Sequence, residues 1–218
     1  MIHNLGLQNT IFNQFLSELR DENIQKDRMR FRRNLQRIGE IFAYEISKTM
    51  NYHPNEVITP LGTVIMNLLA KQPVICSILR AGVPFHEGLL NYFDQADNGF
   101  ISAFRKHKKS GEIVIRMDYV ATPEIEGRDL ILCDPMLATG SSMLMSYQAL
   151  CDLGKPRHTH FVTAVAHQEA IDFLQKNIPP RNFTLWVGAI DEELTTQAYI
   201  VPGLGDAGDL AYGPKIQN

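Results

Sequence analysis

Five short runs, almost wholly apolar and rich in β-branched residues, recur at residues 74–79, 100–104, 130–133, 161–166 and 183–190. A strand with one wet face alternates apolar and polar residues, whereas a strand apolar throughout has both faces covered. Segments with helical apolar spacing lie between the runs, at 84–93, 141–153 and 169–176. Strands buried on both faces and alternating with helices predict an α/β fold, a mainly parallel sheet flanked by helices.

The first third reads differently. Phe31, Leu35, Ile38, Phe42 and Ile46 recur at three- and four-residue steps and mark one face of a long helix within 24–50. A shorter amphipathic helix is expected at 11–19 and another at 61–70, after Pro54 and Pro60, so residues 1–72 form an N-terminal helical extension. One segment breaks the later alternation. Residues 112–119 place Ile113, Ile115, Met117 and Tyr119 on one side and follow a polar stretch at 105–111, which reads as a β-hairpin standing off the main sheet. Nothing resembles a repeat or a linker, so 1–218 is expected to be a single domain. With 218 residues, 44% of them hydrophobic, such a chain needs no disulfide or structural metal to complete its core. Cys76, Cys133 and Cys151 are far apart and make no CxxC, which suits buried thiols in a reducing compartment. No signal-like start and no run approaching about 18 apolar residues is present, so a cytoplasmic location away from membranes is expected. The net charge of −3 gives no general footprint for nucleic acid.

Three segments carry chemistry. Residues 130–142 run Leu-Ile-Leu-Cys-Asp-Pro-Met-Leu-Ala-Thr-Gly-Ser-Ser: a buried strand, the acid Asp134 at its carboxyl end, then small residues opening a helix. Helix starts offer unpaired N–H groups and the positive end of the dipole, so this is a phosphate site in outline. Thr139, Ser141 and Ser142 add hydroxyls, and Gly140 lets the backbone approach a ligand. The GK[ST] ending of a Walker loop is missing, and a plain capped turn is the competing reading. At Ser77-Ile78-Leu79-Arg80-Ala81-Gly82 a strand ends in a cation followed by two small residues. Arg80 can present a planar fork to phosphate there, or can simply be solvated. Residues 199–209, Tyr-Ile-Val-Pro-Gly-Leu-Gly-Asp-Ala-Gly-Asp, contain G-x-G-x-x-G. A dinucleotide fingerprint is excluded, because too little chain follows to build a βαβ unit.

These segments, in this order, resemble those of the uracil phosphoribosyltransferase family. DPMLATG at 134–140 is similar to its donor loop, LRAG at 79–82 to its pyrophosphate loop, and YIVPGLGDAGD at 199–209 to its base-reading loop; Asp191-Glu192 resembles part of a further family segment. The resemblance extends over most of the chain and implies the type I phosphoribosyltransferase fold. It also implies the reaction uracil plus phosphoribosyl pyrophosphate to UMP and pyrophosphate, with Mg²⁺ as cofactor and at least a homodimer, for which the N-terminal helices are one possible interface. By resemblance Asp134, Arg80 and Arg105 are the catalytic residues. Met136, Leu137, Ala138, Thr139, Gly140, Ser141 and Ser142 join them in binding the donor. Tyr199, Ile200, Gly205, Asp206 and Ala207 meet the uracil, and Asp206 faces the metal through water. The 105–128 hairpin is expected to be mobile and to close over the site.

Several residues depart from the family pattern. Arg105 is followed by Lys106-His107-Lys108-Lys109 rather than by acids. An Ala-Pro-Glu-Gly turn appears as Ala166-His167-Gln168-Glu169, and His167 reads as a polar cap more readily than as an acid or base. Ser141 replaces a glycine, which the loop tolerates if its φ stays negative. Two alternatives stay open: a transferase for another nucleobase, and a catalytically silent homologue that senses nucleotides.

Overall fold

The computed structural model describes residues 1–107 and 113–215, with the side chains of 103–118 outside that description. The chain opens with strand β1 (Ile2–Asn4), then helices α1 (Phe12–Arg20) and α2 (Arg28–Ser47). Helix α2 begins where the Asp27 side chain accepts the backbone N–H groups of Met29 and Arg30, satisfying two donors that a helix start leaves without intrahelical partners. Strands β2 (Tyr52–Thr59) and β3 (Gly62–Leu69) follow, then β4 (Val74–Leu79), α3 (Gly82–Leu90), β5 (Asp97–His107), β6 (Ile113–Ala121) and β7 (Asp129–Cys133). The remainder is β8 (Met136–Leu137), α4 (Ser141–Leu153), β9 (His158–His167), α5 (Gln168–Asn177), β10 (Phe183–Asp191), β11 (Glu193–Leu194), β12 (Ile200–Val201) and α6 (Ala207–Tyr212).

The main sheet has the order β1-β10-β9-β7-β4-β5-β6, with β8 paired to β9. Every pairing is parallel except that of β5 with β6. This is the expected mainly parallel α/β architecture. Its strands are apolar throughout because alternate residues serve opposite cores. Ile75, Ile131, Cys133 and Val162 pack with Phe31, Leu35, Ile38, Phe42 and Phe85 on the side of α1, α2 and α3. Val74, Cys76, Leu130, Leu132 and Phe161 pack with Met143, Leu150, Ile171 and Leu174 on the side of α4 and α5. Burial of each such side chain stabilises the fold by about 1.5–3 kcal/mol.

One expectation needs correction. Residues 61–70 are not a helix: β2 and β3 pair antiparallel from Tyr52 opposite Leu69 to Thr59 opposite Gly62, so the N-terminal extension is helical in α1, α2 and a 3-10 turn at Leu5–Leu7. The β-branched run Thr63-Val64-Ile65 favours a strand, and Pro60-Leu61 make a two-residue turn whose Leu61 N–H is held by Thr59 Oγ1 at 3.3 Å. The segment at 112–119 does belong to a hairpin that stands off the main sheet, as expected. As β6 it forms the sheet's edge, paired with β5 from Phe100 opposite Ala121 outward, while β4 accompanies β5 only as far as Ser102. Beyond Ser102 the β5–β6 pair therefore projects past β4.

The order of strands also fixes where a ligand can sit. From β4 the chain moves outward through β5 and β6, then returns to lay β7 against the opposite edge of β4. Loops leaving the carboxyl ends of β4 and β7 thus diverge to opposite faces, into α3 and toward α4. In open α/β sheets such a switch point opens the ligand crevice.

Candidate active site

Arg80 leaves the carboxyl end of β4 and Asp134 that of β7, side by side at this switch point. Gly82 locks the two turns together. A Cβ there would meet Ser77 Oγ at 2.5 Å and the Cys133 carbonyl oxygen at 3.0 Å, so the turn after Arg80 can pack this tightly against the strand bearing Asp134 only as glycine. Asp134 donates its N–H to the Val162 carbonyl at 3.1 Å, and its Oδ1 accepts from Met136 N at 3.3 Å. Burial pushes the Cys133 thiol well above its ordinary value, with the Asp134 charge adding to the shift. The cysteine beside the acid therefore stays protonated and is no nucleophile.

The phosphate-loop residues lie together. Met136 and Leu137 form β8 against Val165 and Ala166, Ala138 is buried, and Gly140 precedes α4 with φ +79. Ser141 N–H reaches Thr139 Oγ1 at 3.4 Å, and the Thr139 hydroxyl lies 3.3 Å from Ser141 Oγ. Ser141 is not among the residues with positive φ, so the replacement of glycine at this position is accommodated as expected. A Cβ on Gly140 would come within 2.9 Å of the Phe173 ring and 3.1 Å of the Ala170 carbonyl, which holds the loop against α5.

The glycine-rich segment closes the third side. Ile200 lies in β12, antiparallel to β11, and the main chain of Tyr199 is taken up by its turn: Tyr199 N–H donates to Thr195 Oγ1 at 3.1 Å and its carbonyl accepts Thr195 N–H at 2.8 Å. Gly203 and Gly205 have φ of +53 and +86. Asp206 caps α6 by accepting Asp209 N–H at 2.9 Å, and Ala207 is buried. Arg80 bridges this segment to the first: its Nη2 donates to Asp209 Oδ1 at 3.1 Å and to the Gly213 carbonyl at 3.2 Å. Both Asp206 Oδ1 and Arg80 Nη2 lie within 4 Å of a Cβ built on Gly208, at 3.3 and 3.7 Å. Arg80, Asp134, the phosphate loop and the Asp206 turn are thus assembled at one rim of the sheet. The side chains of Arg105, Lys106 and His107 lie outside the described residues, as do Lys108 and Lys109 altogether.

His167 ends β9 and precedes α5, its Nε2 donating to the Glu192 carbonyl at 3.2 Å, so it ties two strand ends together, as a polar cap does. Sequence reasoning missed Arg20. It ends α1 and forms a two-pronged pair with Asp191, Nη1 to Oδ2 and Nη2 to Oδ1 both at 3.0 Å. Its only local signal is a place in the last turn of an amphipathic helix, and its partner lies 171 residues away.

Comparison with known proteins gives the family and the fold. The family model described as uracil phosphoribosyltransferase matches residues 6–214. A uracil phosphoribosyltransferase of Porphyromonas gingivalis is 49% identical over 216 residues, covering 99% of each chain. One from Pyrococcus furiosus is 37% identical over 94% of this chain and 87% of its own. Among solved structures, a protein of Aquifex aeolicus superposes with a TM-score of 0.86 at 28% identity over the whole of both chains. An orotate phosphoribosyltransferase of Mycobacterium tuberculosis shares the fold, with a TM-score of 0.51 at 12% identity over 86% of this chain and 94% of its own. With the family model matched across nearly its whole length, the chain belongs to the uracil phosphoribosyltransferase family.

Proposed function

We propose that this chain transfers the ribose 5-phosphate of phosphoribosyl pyrophosphate to N1 of uracil, giving UMP and pyrophosphate. The observation that carries the reading is the junction of three turns at one rim: Gly82 seated against the carbonyl preceding Asp134, and Arg80 bonded into the Asp206–Gly213 segment. In the proposal the α4 start and the hydroxyls of Thr139, Ser141 and Ser142 hold the 5-phosphate, Met136 to Gly140 wrap around it, and Asp134 holds the ribose hydroxyls. Asp134 also offsets positive charge growing at the anomeric carbon as the pyrophosphate bond loosens. Arg80 and Arg105 neutralise the leaving group, and preorganised charge of this kind supplies most of the rate. The hairpin at 105–128 closes to keep water from the same carbon.

The residues present fit Mg²⁺ arriving with its substrate. Among the described residues no three His, Cys, Asp or Glu side chains cluster as a cage, while Asp206 offers a hard oxygen donor at the site, its Oδ2 3.7 Å from Lys215 Nζ. Mg²⁺ is commonly held by one or two carboxylates and substrate phosphates; Asp206 would hold it here, and it would supply charge neutralisation to the pyrophosphate.

Uracil presents two carbonyl acceptors and an N3–H donor, which peptide groups at Ile200, Gly205 and Ala207 can match; Tyr199 flanks them. Cytosine puts an amino donor where an acceptor is required, and a buried mismatch costs about 1–3 kcal/mol. In a panel of bases with phosphoribosyl pyrophosphate and Mg²⁺, uracil is expected to exceed cytosine by roughly tenfold or more. Faster turnover of another base would reassign the substrate, and donor binding without product from any base would mark a sensor.

The proposal includes a homo-oligomer. The β2–β3 hairpin supports it: Ile58 and Leu61 are 85% and 100% exposed, Ile65 is exposed on the same face as Ile58, and the two strands pack chiefly on each other. An apolar surface of this kind fits a second copy. A monomeric mass by sedimentation equilibrium at micromolar concentration would remove it.

A further inference from the structure

The base loop is held from behind by a charged clasp. Asp191, at the end of β10, is buried. Its Oδ2 accepts from Arg20 Nη1 at 3.0 Å and also from the Gly203 backbone N–H at 2.9 Å. Arg20 Nη1 in turn donates to the Gly203 carbonyl at 3.2 Å. One ion pair therefore engages both the N–H and the carbonyl of the glycine that turns the chain between Ile200 and Gly205.

That glycine has little freedom to compensate. Its φ is +53, and a Cβ on it would overlap the Ile200 carbonyl oxygen, so the turn is folded tightly back on the residue proposed to read the base. Ile200 and Leu204, on either side, are buried in the main core. The clasp is little exposed, with the Arg20 and Asp191 side chains at 22% and 9%, so solvent screens it less than a surface pair.

We infer that Arg20 and Asp191 are positioning residues for base recognition: they hold the Gly203 turn so that the peptide groups of Ile200 and Gly205 meet the uracil edge in register. Neither touches substrate. The inference rests on the proposed uracil site, and the bonds of the clasp go to Gly203, between Ile200 and Gly205, rather than to Arg80, so the two substrates should respond differently to its loss. Arg20→Lys keeps the charge but not the fork, and Asp191→Asn keeps the shape and one accepting oxygen but loses the charge and the second acceptor.

The test is steady-state kinetics of both variants, varying uracil and donor separately, with thermal melting of each protein. Charged hydrogen bonds contribute on the order of 1.5–3 kcal/mol, so KM for uracil is expected to rise about 10- to 100-fold. KM for the donor is expected to change less than about threefold, and the double variant to lose no more than the worse single one, because both act through one clasp. A uracil KM unchanged in both folded variants, equal increases for both substrates, or additive losses would each overturn the assignment. Should Asp191→Asn fail to fold, Arg20→Lys and Arg20→Gln carry the same test from the more exposed partner. If the unaltered protein made no UMP at all, the underlying site would fail, a result distinct from failure of the clasp.

Discussion

Asp134→Asn is expected to lower turnover by about 10²–10³, the usual scale for losing one preorganised electrostatic partner. The effect should be confined to chemistry. Asp134 Oδ1 accepts the Met136 N–H, and the amide oxygen of Asn can accept the same bond, so the turn into β8 keeps its support. The lost charge is what the developing positive carbon would feel. Single-turnover rates of UMP formation at saturating substrates measure this without product release. Turnover within a few-fold of the unaltered protein, with an unchanged melting temperature, would remove Asp134 from the mechanism.

Gly203→Ala is expected to damage the base site more than any other single methyl group in the loop. A non-glycine residue in the left-handed region costs about 1–2 kcal/mol, and overpacking adds about 1–3 kcal/mol; here the added Cβ would overlap the Ile200 carbonyl oxygen. The turn must open, and uracil KM should rise about 5- to 70-fold if half of that strain is relieved by moving Ile200. Gly205→Ala provides the graded control. Its φ of +86 carries the same backbone penalty, yet the nearest atom to an added Cβ is Leu210 Cδ1 at 3.7 Å. Equal effects of the two substitutions on uracil KM would show that steric contact with Ile200 is not the cause.

Much of the fold could be read from the chain because the physical signal was local. The runs at 74–79 and 141–153 coincide with β4 and α4, the first because a doubly buried strand admits few polar residues, the second because Gly140 and Leu153 bound a clear helical pattern. The hairpin of β2 and β3 was obscured by Leu61, Val64, Ile65 and Leu68, whose spacing mimics a helix face although Ile58, Leu61 and Ile65 lie in the open. Periodicity reports which residues seek burial, and an exposed apolar strand breaks that premise. At the site, the glycine-rich and small-residue turns were legible because close backbone approach demands those residue types. Arg20 was not. An arginine ending a helix can meet any acid on the folded surface, and only the packing of α1 across the end of β10 selects Asp191.

The central claim is that a sugar donor and a flat base meet at the junction of the turns after β4 and β7 with the glycine-rich segment before α6. A crystal structure of the protein with phosphoribosyl pyrophosphate, Mg²⁺ and a uracil analogue tests this most directly. The account predicts the 5-phosphate at residues 138–142, the ribose hydroxyls against Asp134, the pyrophosphate beside Arg80, and the base edge facing main-chain groups of Ile200, Gly205 and Ala207. A donor bound away from Asp134 and Arg80, or a base recognised far from Ile200, would contradict it.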